Sequence, residues 1–380
     1  MPRTYNILIM GASYGSLLAT KLLLAGHAAT LACLQSEADL INSEGTRVRI
    51  PVKGREGFVE IDSRKLPGKL SASIPGEIRL GDYDLVALAM QEPQYRSPGV
   101  RELLDAVAKA RVPCMSIMNM PALPYLARIP SVSVAVCKSC YTDPTVWDSF
   151  DPALITQCSP DPQAFRPPEE KVNVLQVRLP TNFKSARFSS AAHTAMLRQL
   201  ETDIEAARFE NAELPIKLKV HESVFVPLAK WAMLMAGNYR CVTKEGVWSI
   251  KDAVHSDIKA SRAVYNWVVA LCKSLGAEDK DLVPFEKYAA AAQQLITPSS
   301  AARALFGGAP NIERVDRLVK TIAAERSMQS PVIDEIVALV DSRLELNRQA
   351  VERPAAETPS GSTRLVPQRQ FRKWGFNRTR

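Results

Sequence analysis

The chain has 380 residues, 46% of them apolar and 23% charged, which is ordinary for a globular protein and long enough for two domains with real cores. Its net charge is +8, but residues 353–380 carry seven basic residues against one acid. The body is therefore near neutral, and nucleic acid is not an expected partner. No apolar run approaches the roughly 18 residues of a membrane span, and the start Met1-Pro2-Arg3-Thr4 leads straight into a strand-like segment, so the expectation is a cytoplasmic protein with no membrane partner.

The first 130 residues alternate strand and helix. Tyr5–Met10 reads as a strand buried on both faces, Gly15–Ala25 as a helix stopped by Gly26, and Ala28–Leu34 as the second strand. Arg47–Ile50 and Phe58–Ile61 form short strands, Asp84–Met90 a core strand, Arg101–Ala110 a helix and Cys114–Met118 another strand. This alternation predicts an α/β, doubly wound Rossmann sheet. Between 131 and 188 the pattern loosens. Ser131–Val136, Leu154–Gln157, Val172–Leu179 and Phe183–Phe188 are expected to add sheet to the edge of that domain, which ends near 215 after the helix Ala191–Arg208.

From 216 to 351 the period becomes helical, predicting an all-α C-terminal domain with helices over Val224–Asn238, Ser256–Leu275, Pro284–Ile296, Ile312–Arg326 and Pro331–Val351. Trp231, Trp248 and Trp267 are its candidate anchors, as core or as a homodimer contact. Residues 352–380, with three prolines and many basic residues, read as a disordered tail, with partner binding through Phe371, Trp374 and Phe376 as the alternative. The seven cysteines are odd in number and scattered, which suggests free thiols. Cys137-Lys138-Ser139-Cys140 lacks a second ligand pair, so no metal site is expected.

Gly11-Ala12-Ser13-Tyr14-Gly15-Ser16 sits after the first strand and opens a helix, where a dinucleotide fingerprint belongs. Read without a gap, its glycine slots hold Gly11, Ser13 and Ser16; with one residue deleted, Gly15 fills the third. Backbone donors at such a helix start suit a pyrophosphate. The second strand ends in Cys33-Leu34-Gln35 with no acid before Glu37, which argues against strict NAD use.

Several stretches resemble the ketopantoate reductase family: Asn6 through Gly11, Leu24-Ala25-Gly26-His27 through Leu31, and Ile41-Asn42-Ser43-Glu44-Gly45. Met118-Asn119-Met120 stands where that family has a Gln-Asn-Gly, and Lys230 and Asn238 are spaced as its catalytic lysine and a substrate asparagine. The resemblance implies an NAD(P)H-dependent reductase of a 2-oxo acid, with NADPH expected and NADH as the alternative. Lys230 and Asn119 would be catalytic. Gly11, Ala12, Ser13, Tyr14, Gly15, Ser16, Gln35, Gln91 and Asn119 would face the cofactor, and Asn238, Ser299 and Ser300 a small-molecule substrate.

The chain departs from the family at Gln91, Leu234 and Leu34, and the family's late acid falls near Asn311, with Glu313 and Asp316 two and five residues on. These departures argue against ketopantoate itself as substrate. Ser139-Cys140-Tyr141 through Ile155-Thr156 is similar to a stretch in opine dehydrogenases of the metallophore type, which would imply imine reduction with His221 or His193 as acid–base group. The third reading is a Rossmann protein that binds without catalysis.

Overall fold

A computed structural model describes residues 3–352. Of the tail expected at 352–380, Glu352 ends the last helix and the rest lies outside the described residues. Strand β1 (Asn6–Met10) shows why the main sheet forms: Ile7 and Ile9 pack into one core, Leu8 and Met10 into another, and all four are buried. Apolar residues on both faces suit a parallel strand covered on both sides. β2 (Ala28–Ala32) lies parallel beside β1. β3 (Arg47–Pro51) and β4 (Phe58–Asp62) form a hairpin, and β5 (Lys69–Ser73) returns to pair with β2.

β6 (Leu85–Leu88), β7 (Cys114–Ser116) and β8 (Ile155–Ser159) extend the sheet on the other side of β1. The six parallel strands thus run β5-β2-β1-β6-β7-β8. In chain order this is the 3-2-1-4-5-6 arrangement of a Rossmann sheet, whose order reverses between β1 and β6 and opens a crevice at their carboxyl ends. β9 (Gln163–Phe165) and β10 (Val174–Leu179) join β3 and β4 in a second, four-stranded sheet. β11 (Phe183–Ala186) is antiparallel to β8, and β12 (Leu218–His221) closes the main sheet.

Beyond Val226 the described chain is helical, and its core is continuous with one face of the main sheet. Trp231, 1% exposed, is one of its anchors, whereas Trp248 is exposed. No helix among the described residues is long and apolar enough to cross a membrane.

Several elements differ from the sequence reading. The first helix begins at Ala12 rather than Gly15, and Gln35–Glu44 is a helix that the weak apolar pattern concealed. Ser131–Val136 is not a strand: Val134–Cys137 is a helical turn whose small and β-branched residues mimic strand composition. Sheet continues past 215 through β12, and the helix expected over Ser256–Leu275 begins at Ile258, where Asp257 caps it at Ala260; a separate short helix, Ile250–His255, precedes it.

The expected single helix over Val224–Asn238 is a 3₁₀ turn at Val226–Ala229, an α turn at Lys230–Met233 and a π turn at Leu234–Asn238. The cause is local. Gly237 leaves room for the Tyr288 hydroxyl, which donates to the Met233 carbonyl at 3.0 Å and inserts beside the helix ladder.

The segment before the helix Val315–Glu325 is fixed by charge. Arg314, 8% exposed in its side chain, makes two 2.9 Å bonds to fully buried Asp316 and a third to Asp341 at 2.6 Å. Removing one partner of such a pair leaves an uncompensated buried charge. Arg314→Met is therefore expected to lower stability by about 3–5 kcal/mol, measured by urea unfolding; an unchanged midpoint would show that this network does not hold the segment.

Candidate active site

The crevice opens into a cleft of about 790 Å³ between the main sheet and the helical half. Its walls come from the loops after β1, β6, β7 and β8, the ends of β9 and β10, and the helices from Lys230 onward. Ser13, Tyr14, Gln91, Asn119, Lys230, Asn238, Ser299 and Ser300 all line it. Gly11, Ala12, Gly15, Ser16 and Gln35 do not.

The glycines shape the turn rather than touch the cavity. Gly11 has φ +109°, and a Cβ there would lie 2.6 Å from Met90 Cγ and 3.0 Å from the Ala89 carbonyl oxygen. A Cβ on Gly15 would lie 2.5 Å from Ile9 Cγ2, so this glycine lets the helix pack closely on β1, as the third fingerprint glycine does. This packing suits the alignment that puts Gly15 in the third slot, and the helix begins at once after Gly11, with no side-chain cap and no acid in its first turn. Buried Ser16 turns its hydroxyl back to the Ala12 carbonyl, and Gln35 bonds Asp39 on its own helix at 2.8 Å.

On the far side of the helix start runs the segment Pro160–Arg166. The Tyr14 hydroxyl donates to the Pro162 carbonyl at 2.7 Å, and Arg166 pairs with Glu37. Lys230 Nζ donates to the Pro160 carbonyl at 2.5 Å and lies 3.9 Å from Asp161, which also pairs with Lys184 at 2.8 Å. The Lys230 side chain is 18% exposed, and burial pulls its pKa below the ordinary lysine value, with Asp161 opposing.

Across the cleft, Glu313 is 6% exposed, and burial pushes its pKa up to about 7. Asn119 Nδ2 donates to Glu313 Oε2 at 3.0 Å, joining the end of β7 to the helical half. The Tyr239 hydroxyl donates to the Glu313 carbonyl at 2.5 Å and accepts from Val315 N at 3.0 Å, which fixes the backbone on which Glu313 stands. Asn119 Oδ1 and Glu313 Oε1 are buried and have no partner. Two orphaned polar atoms on the wall of one cleft suit a polar ligand, since such groups are costly to leave unpaired.

Ser299 is already committed. Its hydroxyl donates to the Asn238 carbonyl at 2.7 Å and accepts from Ala302 N at 3.1 Å as a helix cap, so it positions Asn238 rather than offering a free hydroxyl. Ser300 is exposed to the cleft. Glu313 was only approached in sequence, as a residue near Asn311; no spacing rule marked it as the acid facing Asn119. Asp316 is the structural partner of Arg314, and none of the four histidines lines the cleft.

These features fit a dinucleotide at the nicotinamide and pyrophosphate end. The helix start offers uncapped backbone donors beside exposed Ser13. Asn119 offers an unpaired acceptor at the cleft floor. The segment Pro160–Arg166 bounds the other end.

No protein-family model and no curated protein matches the sequence. Solved structures match its shape. 2-Dehydropantoate 2-reductase from Methylococcus capsulatus is 12% identical over 92% of this chain and 99% of its own, with a TM-score of 0.63. D-mandelate dehydrogenase with NADH and anilino(oxo)acetate is 12% identical over 90% and 99%, with a TM-score of 0.61. The dimeric ketopantoate reductase from Staphylococcus aureus is 10% identical over 90% and 99%, with a TM-score of 0.56.

The raised Glu313 pKa has a measurable consequence. Its folded value lies above the ordinary carboxylate value, so protonation favours the folded state, and that advantage is lost as pH rises through about 7. At pH 8 the ionised side chain costs about 3 kcal/mol relative to the unfolded chain. Glu313→Gln removes this cost, so its melting temperature relative to wild type is expected to rise between pH 5 and pH 8. A difference that does not change with pH would contradict the burial of an acid here. With its order of six parallel strands, its crevice and its helical second half, the chain has the ketopantoate reductase-like fold.

Proposed function

We propose that the protein is an NAD(P)H-dependent reductase of a 2-oxo acid, with NADPH as the expected cofactor. The observation that carries this reading is the convergence of Lys230, Asn119 and Glu313 on one cleft at the carboxyl ends of β1, β6 and β7. Bound NAD(P)H supplies a hydride to the substrate carbonyl carbon. Lys230 gives a proton to the carbonyl oxygen, and its lowered pKa makes that donation easier near neutral pH. Asn238 and Ser300 hold the substrate carboxylate by hydrogen bonds, and Ser299 holds Asn238. Neutral Glu313 retains a proton on the cleft wall below pH 7 and orients Asn119.

The backbone N–H groups of Ser13 and Tyr14, in the uncapped first turn of the helix, would hold the pyrophosphate. Arg166 pairs with Glu37 in the first turn after β2, so an acid and a balancing guanidinium stand where Rossmann proteins meet the ribose. Among the solved structures of this fold, D-mandelate dehydrogenase holds NADH and a 2-oxo acid analogue. Imine reduction of the opine type loses support because its expected acid–base groups, His193 and His221, lie away from the cleft.

Turnover of 2-oxo acids with NADPH, and no requirement for an added amino acid, is the expected result of a substrate screen. Lys230→Met is expected to lower kcat by about 100-fold or more while NADPH affinity stays within about two-fold. Unchanged turnover in that variant, or reduction only when an amino acid is added, would refute the assignment.

A further inference from the structure

The cleft holds a second group of cations that the reduction of a simple 2-oxo acid does not use. Arg178 projects from β10, Lys287 from the helix Phe285–Ala292 and Arg303 from the helix Ser300–Phe306, and all three line the cavity. None of them has a carboxylate within salt-bridge distance among the described residues, whereas the other two basic side chains that line the cleft, Lys184 and Lys230, both face Asp161. Arg178 is nevertheless held in place. Its guanidinium stacks 4.1 Å from the Phe165 ring centroid and donates to Thr297 Oγ1 at 3.0 Å, so it bridges the sheet half and the helical half.

This group is distinct from the Lys230 cluster. Asp161 lies beside both Lys184 and Lys230, whereas the like charge that bears on Arg303 is Arg178. Burial and this like-charged neighbour both push the Arg303 pKa below its ordinary value. All three residues are exposed, so water and salt screen their repulsion, and what an anionic oxygen group among them gains is a set of charge-assisted hydrogen bonds. Arg303 stands three residues after Ser300 on the same helix, so the group adjoins the proposed substrate-carboxylate end.

We propose that Arg178, Lys287 and Arg303 form an anion subsite for a second acidic group of the substrate, so that the enzyme prefers a dianionic 2-oxo acid. The inference rests on the reductase reading for the reacting end, but the anion subsite itself does not. Two of its three members stand on the helical half, opposite the Rossmann crevice, which favours the substrate over a cofactor phosphate as the source of the anion.

The test compares 2-oxo dicarboxylates of four to six carbons with the monocarboxylates of equal chain length, such as 2-oxoglutarate with 2-oxopentanoate. In wild type, kcat/KM is expected to favour the dicarboxylate by about ten-fold or more at one chain length, and Arg303→Met and Arg178→Met should reduce that preference to about two-fold or less. Calorimetric titration with glutarate and adipate, against pentanoate and hexanoate, reads the same subsite without turnover. Dicarboxylate binding lost in both variants supports the subsite even if no 2-oxo acid is reduced, in which case the reductase reading alone fails. Equal binding of mono- and dicarboxylates by wild type, or a preference that survives both substitutions, overturns the proposal. So does a loss in Arg303→Met confined to NADPH and absent with NADH, which would assign the cations to the cofactor.

Discussion

The hydrogen bond between Asn119 and Glu313 is the contact around which the site is organised. It runs 3.0 Å from the end of a sheet strand to a carboxyl group on the helical half, and it lies at the floor of the cleft that the two halves enclose. Keeping Glu313 there costs desolvation, and the protein meets that cost with structure. Tyr239 ties the Glu313 backbone, and the Arg314–Asp316–Asp341 network locks the residues that follow. Burial, with the nearby Glu92 charge adding to it, holds the carboxyl group near neutrality, and among the described residues no cation stands within salt-bridge distance of it. A group that can gain or lose a proton near pH 7, fixed beside an unpaired amide oxygen, suits acid–base chemistry better than a structural role.

The sheet was legible because its strands obey simple rules. β1, β2, β6 and β7 are short apolar runs set between helices, and their order follows from that alternation. The second sheet was not legible as a separate layer. β3 and β10 are 127 residues apart in register, Arg47 opposite Val174, and no local pattern announces such a pairing. Helices were misread where a tertiary contact overrides the period. The π turn at Leu234–Asn238 depends on a tyrosine from another helix meeting Gly237, and Val134–Cys137 has the composition of a strand.

The candidate site was half legible for the same reason. Lys230, Asn119, Asn238, Ser300 and Gln91 were reached by resemblance and do line one cleft. Ser299 was reached too, but its hydroxyl is used by the fold. Glu313 could not be singled out because its significance is burial against a residue 194 positions away. The Arg178, Lys287 and Arg303 group was invisible because three ordinary surface residue types from three elements become distinctive only when no carboxylate answers them.

The altered glycine turn is where the account is most exposed. Gly11 and Gly15 pack closely against β1 and the end of β6, the helix starts at once after Gly11, and Tyr14 reaches Pro162 beside the helix start. Titration of the protein with NADPH and with NADH, followed by nicotinamide fluorescence, tests this directly. The account predicts saturable binding with NADPH the tighter ligand. Failure of both dinucleotides to bind would mean that this glycine turn and the Pro160–Arg166 segment exclude the cofactor, and the reductase reading would fall in favour of a Rossmann protein that binds without catalysis.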